Sequence, residues 1–517
     1  MTRPPLAPPN NPLAALPSPP SVTNTRSSRR LSAFSILLAL VAPLSAEVRC
    51  AKPFSDHMVL QRDLPVPVWG EATPGEAVTV EFAGQTQSTA ANTEGRWRVT
   101  LDALTSSTDP RVLSIRGTNK LTFSDVLVGE VWFCSGQSNM EKQLGPRKGQ
   151  KPTDNHELET AAANYPQLRL FQVPRSNQKA DAPALNQWLP CTPDNLRVSE
   201  FSAAAYYFGQ QVQRTLGVPV GLVHSSFGGT FIDAWMPVEA FAGPLAGLDK
   251  RELQAWVKGV QPTELYQSMV APYAPFALRG FLWYQGESNL MNGDIELYAA
   301  KQTALIASWR KAWALPKAPF YGVLLAPMDY SKWEKFPVTA EALPAFWEQQ
   351  ERALSAPHTG YAVTTDLVVQ YHDIHPTNKR DVGLRLARLA LSETYGRADL
   401  AAHGPTFAEL HATGPNLELT FTHADGLRTR DGLAPICFGI AGADQVFHPA
   451  VAKIDAGKII LTSPEVAQPV AARFAWHETA PVNLVNAAGL PAAPFRSDAW
   501  PLTLLRPVSE TAPQKVN

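Results

Sequence analysis

The sequence predicts an α/β protein: a domain built on a largely parallel sheet, with a smaller β-rich domain on either side. Three observations predict it. Between residues 122 and 400, short apolar runs alternate with stretches of helical period, the signature of βαβ units. Residues 50–120 instead carry short strands separated by turn residues, the spacing of a small sandwich. Residues 401–510 return to that β alternation.

In chain order, residues 1–25 are rich in Pro, Asn and Ser without apolar period and are expected to form a disordered tail. Arg26, Arg29 and Arg30 then precede the apolar run Ala33–Ala42, and Pro43–Ala46 ends on a small residue. Residues 26–46 therefore read as a cleavable secretory signal, which makes the protein exported, to a periplasm or beyond the cell. The run is too short to span a bilayer, and no later stretch is long and apolar enough. Val66–Gly70, Ala77–Phe82 and Arg96–Leu101 are the strands of the first β domain. Asp125–Phe133, Val218–Val223, Phe281–Tyr284 and Phe320–Leu325 read as buried strands of the central domain. Between Asn378 and Tyr395, Val382, Leu386, Leu389 and Ala390 share one helical face. Leu417–Phe421 and Lys458–Leu461 are strands of the last domain.

The formal net charge of −1 over 517 residues argues against nucleic acid as a partner, because phosphate binding needs a basic surface. Four cysteines, Cys50, Cys134, Cys191 and Cys437, show no zinc spacing, and no metal or cofactor motif is found. An exported chain could pair them in three ways. Cys134 reads as a buried small apolar residue rather than a second nucleophile.

The chemistry gathers at turns that follow strands. Ser135-Gly136-Gln137-Ser138-Asn139-Met140 follows the Asp125–Phe133 run, so Ser138 is delivered onto a tight turn at a strand end, where α/β folds place their ligands. It is the candidate nucleophile, although turn chemistry alone also accounts for a serine there. The turn is not the G-x-S-x-G elbow, since Met140 stands where the second glycine would be. His372-Asp373-Ile374-His375-Pro376 supplies the candidate base, His375. In an extended loop Asp373 faces the same side and is expected to reach the imidazole; His372 is a rival base and Asp366 a rival acid. Two further loops offer oxyanion donors: Ser225–Thr230, with paired glycines, and Trp283-Tyr284-Gln285-Gly286-Glu287-Ser288-Asn289. Glu287 is a further carboxylate for the histidine or substrate, unless Glu287 and Asn289 only cap the next helix.

These motifs, in this order, resemble those of sialate O-acetylesterase-like proteins in the wider SGNH hydrolase superfamily. They are Gly136–Met140, His224–Thr230, Trp283–Asn289 and Asp373–Lys379, and the resemblance runs from about Phe54 to about Asp498. It implies a flavodoxin-like three-layer hydrolase domain at 122–400 with β-sandwich-like domains at 50–120 and 401–510. It implies Ser138 as nucleophile, His375 as base, Gly229, Gln285 and Asn289 at the oxyanion, and either Asp373 or Glu287 as the acid, with Asp373 preferred.

The expected activity is metal-free, cofactor-free removal of O-acetyl groups from an acetylated sugar or glycan, most simply an acetylated sialic acid. Deacetylation of acetylxylan or another polysaccharide uses the same kit. A non-catalytic carbohydrate-binding protein is the alternative of another class, and it requires no nucleophile–base pair.

Overall fold

The computed structural model describes residues 47–175, 184–251 and 259–507. The expected tail (1–25) and signal (26–46) lie outside them. Six strands form a parallel sheet in the order Tyr165–Gln172, Val220–Ser226, Lys120–Gly136, Gly280–Tyr284, Phe320–Val323, Thr359–Ala362, and Trp188–Cys191 adds an antiparallel edge. Strand side chains alternate between faces, and the central strand shows it. Trp132 packs against Phe208 and Tyr395, and its neighbour Phe133 against Trp309 and Trp313. Helices therefore cover both faces: Ala203–Leu216 and Arg380–Leu389 on one, Tyr298–Ala312 on the other. A Cβ on Gly383 would meet Ala204 O at 2.6 Å, so this glycine lets the first two helices touch. The three-layer α/β arrangement is the one expected.

The central strand is longer than its apolar run. Its first half pairs antiparallel with Ser107–Arg116 and parallel with Val59–Gln61, so the N-terminal β region is continuous with the parallel sheet. The buried Glu130 in mid-strand is held by Arg62 and Arg279 Nε at 2.5 and 2.7 Å. A buried carboxylate needs such partners. The C-terminal region folds two four-stranded antiparallel sheets around a core of its own, with Leu417, Leu419, Ile440, Ile459, Leu461 and Phe474 at its centre.

Register fixes where the loops emerge. Ser135 is level with Ser225 on one side and Trp283 on the other, and Gly136 with Ser226 and Tyr284. Three motif loops thus leave the sheet side by side at its carboxyl edge. The chain also switches sides of the central strand there, which is where open α/β sheets bind ligands.

Among the described residues all four cysteines are free thiols; Cys134 is buried, and burial pushes its pKa up, which suits an inert packing residue. No helix of the described residues is long and apolar enough to cross a membrane, and no group of three His, Cys, Asp or Glu among them is placed to hold a metal.

Candidate active site

Gly136 ends the central strand at φ +142°, and a Cβ there would lie 2.1 Å from Tyr284 O. Glycine alone fits so close to the adjacent strand, and the chain turns at once into the short helix Ser138–Glu141. Ser138 begins that helix, so its N–H has no carbonyl within the helix to bond. Its side chain lines a cleft of about 440 Å³ together with Gly228, Gly229 and His375. Ser138 and His375 therefore face one space, and no hydrogen bond joins them.

His375 Nε2 is buried and, among the described residues, has no hydrogen-bond partner. Burial, and after it the charges of Lys379 and Lys142, lower its pKa to about 4, against a smaller opposing pull from Asp373. Asp373 is not hydrogen-bonded to the ring. Its Oδ1 accepts from the His375 backbone N–H at 2.9 Å. An aspartate bonding the N–H two residues on is an Asx turn, and this local bond takes the carboxylate that extended geometry would have aimed at the imidazole. Asp366 is held by Arg385 at 2.6 and 2.7 Å and by Arg430. The His372 ring lies over Asp329 and is mostly exposed.

Glu287 opens the helix Glu287–Met291 and is fully buried, which raises its pKa. Its Oε1 accepts from Asn139 Nδ2, which also donates to Ile374 O at 2.9 Å. Asn139 thereby ties Glu287 and the Ser138 turn to the His375 loop. Lys379, four residues after His375, is completely buried, donates to Pro376 O at 2.8 Å, and has its pKa lowered to about 7 by burial.

Gln285 and Asn289 do not present their amides to the cleft. Gln285 Nε2 donates to Thr230 O at 3.0 Å and Asn289 Oδ1 at 2.8 Å, and Tyr298 donates to its Oε1. Asn289 Nδ2 donates to Asp294, and its Oδ1 accepts from the Ile232 N–H. Behind them the buried Asp233 and Lys301 and the partly buried Asp294 and Arg251 form an ion network. Both side chains brace the loops rather than line them. Gly229 does line the cleft, at φ +77°.

Sequence reading missed Glu141, Arg147 and Arg175. Glu141 accepts from the Gly228 N–H at 3.1 Å and pairs with both arginines, which with Lys148 and Lys335 give the cleft a cationic rim. No local pattern marks the arginines; they meet only through the fold. Asn139 and Lys379 stood inside the quoted motifs, and their role became visible with their bonds.

The family described as carbohydrate esterase, sialic acid-specific acetylesterase, matches residues 128–392. Human sialate O-acetylesterase is 31% identical over 416 residues, covering 72% of this chain and 77% of that protein. The mouse sialate O-acetylesterase is 29% identical and covers 77% of this chain and 84% of its own. A crystal structure of a carbohydrate acetylesterase from Xanthomonas citri superposes with a TM-score of 0.78 at 37% identity, covering 88% of this chain and all of that one.

Proposed function

The chain belongs to the sialic acid-specific acetylesterase family of carbohydrate esterases, and from that premise we propose that it is a serine esterase removing O-acetyl groups from an acidic sugar. The observation that carries the reading is that Ser138, Gly229 and His375 line one cleft, with His375 Nε2 buried and without a hydrogen-bond partner among the described residues. Ser138 Oγ attacks the acetyl carbonyl while Nε2 takes its proton. The Ser138 and Gly229 N–H groups receive the developing oxyanion, a contribution of about 3 kcal/mol per donor. The protonated imidazole then gives its proton to the departing sugar hydroxyl, and water, activated by the same nitrogen, releases acetate and frees the serine.

Asp373 supports the base indirectly. It fixes the loop through the His375 N–H, and its charge favours the imidazolium. Glu287, Gln285 and Asn289 act as positioning residues, holding the three motif loops together. The rim of Arg147, Lys148, Arg175 and Lys335 supports a substrate bearing a carboxylate, hence a sialic acid rather than neutral xylan. The Arg26–Ala46 segment supports export.

Purified Ser138→Ala is expected to lose p-nitrophenyl acetate hydrolysis by roughly a thousandfold or more, and undiminished turnover would refute the assignment. Acetate released from O-acetylated sialic acid should exceed that from acetylated xylan; the reverse order would refute the acidic-sugar reading.

A further inference from the structure

Beside the Ser138 cleft lies a wider one, of about 790 Å³, that no step of the deacetylation uses. Residues 149–151, Asp329 with Lys332, residues 369–373, and Thr479 from the C-terminal β region form its walls. It adjoins the active site: Gln150 lines both, and Asp329 and Asp373 lie next to Met328 and near His375 in the chain.

The two clefts differ in chemistry. Phe227, Met291, Met328 and Phe336 wall the first, a surface that suits an acetyl methyl. The second is walled by hydrogen-bonding groups, among them Gln150, Lys332, Gln370 and His372, with Tyr371 as its aromatic surface. Asp329 is the built element. Its side chain is 1% exposed, and among the described residues neither carboxylate oxygen has a hydrogen-bond partner. Among the described residues its charged neighbours are His372 Nδ1, at 2.5 Å, and Lys332 Nζ, at 3.6 Å. Those two side chains are 78% and 70% exposed. A buried carboxylate without hydrogen bonds is costly. Here the two side chains over it face solvent, so a hydroxylated ligand in the cleft would meet Lys332 and His372 and supply the missing donors to the carboxylate.

We infer that this second cleft binds a hydroxyl-rich oligosaccharide, the part of the glycan that continues beyond the acetylated sugar. Its place in the reaction rests on the proposed function; its saccharide chemistry does not.

The test is calorimetric titration of the full-chain Ser138→Ala protein with two unacetylated probes, sialyllactose and xylohexaose. Saturable binding of either probe is expected, and the probe that binds identifies the source of the chain. Lys332→Ala and Tyr371→Ala, each placed in the Ser138→Ala background, should weaken that binding by roughly tenfold. In the otherwise wild-type enzyme the same two substitutions should leave p-nitrophenyl acetate turnover within about twofold. No binding of either probe, or binding that both substitutions leave unchanged, overturns the inference. Full p-nitrophenyl acetate turnover by Ser138→Ala, together with cleft-dependent binding, would refute the esterase reading and leave the saccharide site standing.

Discussion

At His375, burial opposes protonation first, and Lys379, Lys142 and Arg147 add to it; only Asp373 pulls the other way. The sign follows directly. As the proposed base, an imidazole depressed to about 4 is neutral, and able to take a proton, at every pH above that value. The acid limb of kcat/KM should therefore fall near pH 4 rather than near the ordinary histidine value of about 6.5. Lys379→Met removes a cation and should move the limb upward, while burial still keeps it below the ordinary value. A limb already at the ordinary histidine value, or one unmoved by Lys379→Met, would contradict this electrostatic account. At this scale the sequence made Ser138 and His375 legible as candidates that share one cleft, because their motifs are local. It did not show which atom Asp373 would bond. An Asx turn and a side-chain contact to the ring draw on the same residue at the same spacing, and only the backbone conformation decides between them.

The elements around the site depend on close approach. Gly136 lies against Tyr284 O, and Gly286, at φ +147°, has Phe346 2.6 Å from where a Cβ would sit. Gly136→Ala would push the central strand from its neighbour at the point where Ser138 leaves the sheet. It is expected to cost at least about 1–3 kcal/mol in backbone strain and most of the esterase activity, read as a lowered Tm and a lowered kcat/KM. Wild-type values for both would show that the turn does not depend on glycine. Strands at Val66–Glu71, Ala77–Phe82 and Arg96–Leu101 were readable almost residue for residue, since alternation and flanking turns define them. The helix expected across Asn378–Tyr395 runs regularly from Arg380 to Leu389, with Asn378 Oδ1 accepting the Asp381 N–H at its start, and continues as a π turn to Thr394. The length of the Lys120–Gly136 strand was not legible. Its polar first half carries no apolar run and is paired only through the N-terminal β region.

Across the whole molecule, the C-terminal β region is fastened to the hydrolase domain by charge. Arg473, one-tenth exposed, joins Asp498 to Glu341, and Arg496 reaches Glu348 on the helix Ala342–Ala353. Glu478 of the same region receives the Ser331 N–H at 2.9 Å and places Thr479 on the second cleft. Arg473→Ala leaves the buried Asp498 without its main partner. It should lower stability by about 3–5 kcal/mol, measured as a fall in Tm, while p-nitrophenyl acetate turnover well below that Tm persists. An unchanged Tm would mean that these pairs do not fasten the region. No composition or period foretells such long-range ion pairs; they exist only once the regions have docked. The claim on which the rest depends is that Ser138 forms the covalent bond. Its most direct test is mass spectrometry of peptides from enzyme quenched during turnover of an O-acetylated sialic acid. The account predicts an acetyl group on Ser138, lost in Ser138→Ala. An acetyl group on another residue, or turnover by Ser138→Ala at the wild-type rate, would contradict it.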